Sequence, residues 1–219
     1  MIARLLSRLP GPLSTLAIRF QTQRIDSVDR LTEFTGTRSA YVAQTALYGY
    51  LKTRMGTQFT RYFEDGVFSE AIRGAVEKQF RECLCDLAVF AAATADQGTR
   101  MTPDQSAALA EHCLVEGHKQ GLPEGGGQAV PADVLEAFRN RLSHTDWSKT
   151  WEGRLAFARS EAALIQNAPV IDQYKKEDEE IVTNSIRFRW SDIREQLRTR
   201  IDRDTVCEDW RATSEKRTG

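Results

Sequence analysis

Apolar residues recur at intervals of three and four from Ile25 almost to the end of the chain, and no alternating apolar and polar run bounded by turns interrupts them. The pattern predicts an all-α fold, a helical bundle of about six to seven helices preceded by a basic amphipathic N-terminal segment. Ile25, Val28, Leu31 and Phe34 form a first stripe expected to end near Gly36. Ser39 is placed to cap a second helix running toward Phe63, and Asp65-Gly66 breaks it. From Val67 to Ala95 the apolar positions Phe68, Ile72, Val76, Phe80, Leu84, Leu87 and Phe90 give the strongest periodicity of the first half.

Thr102-Pro-Asp-Gln105 has the form of a capped helix start, with a hydroxyl for the orphan amides, proline at the first helical position and glutamine at the third. That helix should end near Gly117 or Gly121. The glycine-rich stretch from Gly121 to Pro131 is the one flexible connection the sequence offers, and it divides residues 25–205 into possible sub-bundles, 25–97 and 102–205. Val134, Leu135, Phe138 and Leu142 mark a further helix, and Trp147 to Ile165 another. The last helix, about Val170 to Arg203, carries Val182, Ile186, Trp190, Ile193, Leu197 and Ile201 in one broad stripe. Tyr174, Ile181 and Phe188, spaced by sevens, form a second apolar line, so this helix is expected to pack against neighbours on two sides. Residues 206–219 read as a polar C-terminal tail.

The helical wheel also separates polar candidates from core. On the helix toward Phe63, Tyr41, Leu47, Tyr48, Leu51, Met55, Phe59, Tyr62 and Phe63 fall in one stripe roughly 160° wide. Tyr50, Arg54 and Arg61 occupy the opposite side, while Gly49 and Gly56 form a small-residue notch on the boundary. On the last helix Arg187, Arg194 and Arg198 share a third face. These six residues, Tyr50, Arg54, Arg61, Arg187, Arg194 and Arg198, are the candidate contacts for a protein partner.

The first 24 residues contain four arginines, Arg4, Arg8, Arg19 and Arg24, and no acid, with Ile2, Leu5, Leu6 and Leu9 at helical spacing. Three readings suit such a segment: a helix lying in a membrane interface, a mitochondrial transit peptide, and an arm packed on the domain or on a partner. Arg4, Leu5, Arg8, Leu9 and Arg19 are the candidate membrane-surface residues. So short an apolar face needs a second contact for stable anchoring.

Composition narrows the function classes. The 219 residues are 41% hydrophobic, and 30 basic against 31 acidic residues give a net charge of −1, which removes the electrostatic case for wrapping nucleic acid. No run approaches the ~20 apolar residues of a membrane-spanning helix. Four cysteines, Cys83, Cys85, Cys113 and Cys207, show no CxxC spacing and are expected to be buried and free in a reducing compartment. No cofactor is expected: the Gly121–Pro131 stretch lacks the Gly-Lys-Ser or Gly-Lys-Thr ending that cradles phosphate. Ser143, His144 and Asp146 are too close in sequence to converge as a nucleophilic triad, and Ser143, Thr145 or Asp146 reads as the cap of the helix at Trp147. His112 and Glu116 share one helical face and Glu111 and His118 another, so no three metal ligands converge on one helix.

Two groups of segments resemble a family of small alphaproteobacterial proteins, some of them automatically labelled esterase. They are Tyr41-Val-Ala-Gln-Thr-Ala-Leu-Tyr-Gly-Tyr-Leu-Lys-Thr-Arg-Met-Gly56 with Phe63-Glu-Asp-Gly-Val-Phe68, and Ser160-Glu-Ala-Ala-Leu-Ile165 with Ala168-Pro169 and Glu180-Ile-Val-Thr-Asn-Ser-Ile-Arg-Phe-Arg-Trp190. The resemblance implies a bacterial, intracellular setting. The esterase label would require a Gly-x-Ser-x-Gly elbow on a strand-to-helix turn, which this sequence lacks. The reading that results is a non-catalytic helical protein that binds a protein partner as an adaptor or assembly component. It is expected in the cytoplasm, with residues 1–24 able to hold it at the inner membrane; the transit-peptide reading would place it in the mitochondrial matrix. A hydrolase or metal-dependent enzyme using Ser143, His144, His112 or Glu116, and a nucleic-acid binder, are the alternatives.

Overall fold

The computed structural model describes residues 23–62, 65–99, 101–121, 129–153 and 156–218. Among them the fold is an all-α packed bundle with seven helices of seven or more residues. These are α1 (Val28–Met55), α2 (Gly66–Asp96), α3 (Pro103–Gly121), α4 (Ala132–Ser143), α5 (Ala158–Asn167), α6 (Asp172–Arg200) and α7 (Arg203–Thr218), with single turns at Phe59–Tyr62 and Trp147–Thr150. The expected bundle is thus present. The arm expected at residues 1–24 lies outside the described residues except for Gln23 and Arg24.

The centre of the bundle is α2. Its C-terminal half, Cys83 to Ala95, is buried on every side, which explains why that stretch is apolar all round instead of amphipathic. Against it pack α1, α3, α5, α7 and the turn at Trp147. Asp65 starts the helix, its side chain accepting from the Val67 and Phe68 amides, so the Asp65-Gly66 pair acts as a cap. The capping box at Thr102 forms as expected: the Gln105 amide donates to Thr102 Oγ1 at 3.2 Å and the Thr102 amide to Gln105 Oε1 at 2.9 Å.

Four boundaries differ from the sequence reading. First, α1 does not end near Gly36; it runs through Gly36 and Ser39, both buried in its interior. A Cβ on Gly36 would stand 2.6 Å from the Gly117 carbonyl oxygen of α3, and one on Gly121 would collide with the Phe80 ring. Gly36 is therefore a site of backbone contact between helices, and the expected notch lies elsewhere. Gly49 meets only the Arg189 guanidinium, and Gly56, at φ 52°, ends α1. Second, the expected Trp147–Ile165 helix is interrupted after one turn, at Gly153 with φ 78°.

Third, α6 stops at Arg200, where Ile25 and Ile201 form a one-residue parallel bridge: the Ile25 amide donates to Arg200 O and the Asp202 amide to Ile25 O. Fourth, the stretch read as a polar tail is helical through residue 218, because Val206, Cys207 and Trp210 are buried against the bundle. Asp209 of this helix also caps α1, accepting from the Val28 amide at 2.8 Å. The two proposed sub-bundles share a single core: Leu31 and Phe80 from one, Leu109, Phe138 and Trp190 from the other, and Trp210 beyond both belong to one contiguous cluster.

Candidate functional site

The sequence reading is most sharply divided on α6. Its first stripe is core as expected, with Val182, Ile186, Trp190, Ile193 and Leu197 buried. Its second line is largely open: Ile181 is 72% exposed, Phe188 78% and Tyr174, which lies under Arg54 of α1, 40%, with Ile171 at 60%. Seven residues make almost two helical turns, so Tyr174, Ile181 and Phe188 drift only about 20° per step and stay in one line opposite the core. A helix of this length, buried on one side and apolar on the other, presents a surface rather than a pocket. Beside the line the open surface of α6 is polar, carrying Glu177, Glu180, Thr183, Asn184 and Arg187.

One end of the line is braced by α1. The Arg54 guanidinium lies 4.3 Å from the centre of the Tyr174 ring, pairs bidentately with Asp178 and reaches Glu177 at 3.4 Å. The hydrogen bond from Arg54 holds the Asp178 carboxyl below its ordinary value. Tyr50, expected on the open side of α1, is buried instead. Burial, with the Asp178 carboxylate next to it, pushes its phenol up to about 12. The reason for the error is that the C-terminal turns of α1 pack on α6 as well as on α2, so the side of the wheel counted as solvent is covered.

Of the other arginine candidates Arg194 and Arg198 are turned inward, while Arg187 stays exposed and pairs with Glu161 at the surface. Arg187 Nε donates to Glu161 at 2.8 Å, Arg194 to Gly153 O at 3.2 Å, and Arg198 to Trp151 O at 2.7 Å and Glu152 O at 3.2 Å. The guanidinium of Arg194 lies near the Phe157 ring and that of Arg198 near Phe90. Their shared face is the seam between α6 and residues 151–161, where guanidinium groups satisfy carbonyls that no helix ladder uses. Among these other candidates Arg61 and Arg187 are exposed, and Arg187 is held by Glu161. Arg4, Leu5, Arg8, Leu9 and Arg19 lie outside the described residues.

Beneath that seam sits a polar cluster that the sequence reading missed. Asp86, fully buried in α2, accepts from Arg141 at 2.7 Å and from the Ser160 amide at 2.8 Å. Arg141 also donates to Ala156 O, the Ser160 hydroxyl accepts from Trp190 Nε1 at 3.0 Å, and Gln79 donates to Ser160 O at 2.9 Å. Burial pushes the Asp86 carboxyl up to about 6 despite the adjacent Arg141 charge. One acid inside the otherwise apolar run from Cys83 to Ala95 was the available signal. The cluster ties α2, α4, α5 and α6 together, with Asp86, Gln79 and Ser160 buried and Arg141 at its edge, so its chemistry is that of a structural joint.

The residues read as possible catalysts do not assemble. Asp146 caps the turn at Trp147, accepting from the Ser148 amide at 3.1 Å, while the Ser143 hydroxyl donates to Asn140 O at 2.8 Å. His144 Nδ1 lies 2.8 Å from the same Asn140 carbonyl and 3.1 Å from Ser143 Oγ. His112 stacks near Trp210 and His118 near Phe80. Among the described residues no group of three His, Cys, Asp or Glu side chains is placed to hold a metal ion. All four cysteines are free and buried, and burial pushes the Cys85 and Cys113 thiols up to about 12, which leaves little thiolate for chemistry. No helix among the described residues is long and apolar enough to cross a membrane.

The geometry therefore defines a helical bundle with a buried polar joint and one outward apolar face. Compared with family models, curated proteins and solved structures, the chain matches none.

Proposed function

We propose that this is a non-catalytic helical protein that binds a protein partner through the outer face of α6, as an adaptor or assembly component. The observation that carries the reading is the exposed line of Tyr174, Ile181 and Phe188. Large apolar side chains aligned on one helix and rimmed by Glu177, Asn184 and Arg187 have the make-up of a protein-binding surface, an apolar centre within a polar edge. The pairing of Arg54 and Arg187 with carboxylates and of Arg194 and Arg198 with backbone carbonyls supports a protein partner over nucleic acid, since phosphate contacts need uncommitted cations. The basic segment at residues 1–24 is proposed as a second contact, to a membrane surface. The resemblance to small alphaproteobacterial proteins favours a cytoplasmic setting with that contact at the inner membrane.

The test is a comparison of tagged full-length protein with an Ile181→Asp, Phe188→Asp variant and with a variant lacking residues 1–22. Captured protein lost from the first variant, and membrane association lost from the second, are the expected results. Identical capture by wild type and the α6 variant would refute the docking face.

A further inference from the structure

We propose that the outer face of α6 has an internal occupant, this chain's own residues 1–22, which a protein partner has to displace. The inference rests on the docking role proposed above. Residues 1–22 lie outside the described residues, but their root is placed: the carbonyl of Gln23 accepts from Arg200 Nε at 2.8 Å, at the C-terminal end of α6. Phe188 lies twelve residues back along that helix from Arg200 and Ile181 nineteen, about 18 and 29 Å at the helical rise. Twenty-two residues span about 33 Å when helical and about 70 Å when extended, so the arm reaches both from its root.

Charge and spacing match. Exposed acids stand at both ends of the open stretch, Glu177 and Glu180 near Ile181 and Asp192 and Glu195 beyond Phe188. Glu180 and Glu195 pair with no cation among the described residues, and Arg187 at the edge of the face is held by Glu161. Residues 1–22 supply the complement, Arg4, Arg8 and Arg19 with no acid. Ile2 and Leu9 stand seven residues apart with Leu5 and Leu6 between them, the same separation as Ile181 and Phe188. Counted back from Gln23 at the helical rise, Arg19 comes level with residue 196, beside Asp192 and Glu195, and Arg4 with residue 181, beside Glu177 and Glu180. The tether also lowers the area needed: an attached segment acts at an effective concentration on the order of millimolar, so a smaller contact suffices than a separate molecule requires. The arm then alternates between this face and the membrane contact proposed above.

The test is photo-crosslinking of dilute full-length protein carrying p-benzoylphenylalanine in place of Ile181 or, separately, of Phe188, in an equal mixture of isotope-labelled and unlabelled chains. Peptide mapping by mass spectrometry should find adducts to residues 1–22 of the same chain, with a yield unchanged on about tenfold dilution because the contact is intramolecular. An Arg4→Glu, Arg8→Glu variant, or about 0.5 M salt, should lower that yield at least about threefold, since the attraction is between exposed charges and is screened. Both changes leave the bundle intact, which unchanged helical circular dichroism checks. Adducts joining labelled to unlabelled chains would give the face to a second copy and overturn the proposal, as would the absence of arm adducts from both positions. The docking role is judged separately. If the Ile181→Asp, Phe188→Asp variant then still lost capture, the face would stand with an outside occupant; if capture were unchanged, both readings would fall.

Discussion

The two sides of α6 carry similar residues in opposite surroundings. Trp190, Ile186 and Ile193 face inward and are essentially inaccessible, while Phe188, Ile181 and Tyr174 face outward and retain between 40% and 78% of their exposure. Side-chain type does not separate them. What separates them is that α1, α5 and the 151–161 loop supply neighbours on one side, while among the described residues little more than Arg54 against Tyr174 covers the other. The apolar character of a helical position thus records that it is to be covered, and only the assembled neighbours tell whether the cover comes from within the chain.

The largest effect that would sharpen this contrast comes from the inner side. Trp190→Ala removes a buried indole together with its hydrogen bond to Ser160, and should cost about 3–5 kcal/mol in urea unfolding. A loss as small as that of an exposed position would mean that the core has been assigned to the wrong side of α6.

Arg141→Ala comes next, at about 3 kcal/mol near neutral pH, because it leaves Asp86 buried without its counter-charge. The pH dependence has a definite sign. The folded Asp86 carboxyl is raised to about 6, so the folded state holds a proton that the unfolded chain, titrating near its ordinary value of about 4, has released. Stability from this group is therefore highest below that ordinary value and falls as pH rises toward 6. Asp86→Asn should flatten that part of the profile, measured as urea midpoints between pH 4 and pH 7.

A pair of glycines gives a smaller effect with opposite signs. Gly36→Ala forces a methyl against the Gly117 carbonyl and should destabilise by about 1–3 kcal/mol. Gly74→Ala, at a helical position with open space around it, should stabilise by about 0.5–1 kcal/mol through helix propensity. Thermal unfolding of both variants checks the pair, and equal signs would refute the close α1–α3 crossing. The smallest effect is expected at the outer face: Phe188→Ala, measured in dilution, should change the unfolding free energy by less than about 0.5 kcal/mol.

Local physics was legible in the sequence. The Thr102 capping box, the length of α2 and the inner stripe of α6 follow from hydrogen bonds and periodicities contained within a dozen residues. The misplaced elements all depend on distant partners. Gly36 reads as a helix end until Gly117 stands against it, and Val206, Cys207 and Trp210 are too few among charges to signal burial until α1 and α2 enclose them. Arg194 and Arg198 look like a solvated face, because the carbonyls of residues 151–153 that they satisfy come from another part of the chain.

By itself the sequence determined that this protein is a helical bundle, roughly where most of its helices lie, and that the long helix at Asp172–Arg200 bears two apolar lines. Periodicity settles those points, since a helix returns each side chain to the same face every three or four residues. The tertiary structure alone decided which line is sealed and which is left open, that Tyr50 is buried and Arg194 and Arg198 serve backbone carbonyls, and that Asp86 is buried beside Arg141. Those outcomes turn on which surfaces meet, and contacts between residues far apart in the chain leave no period within it.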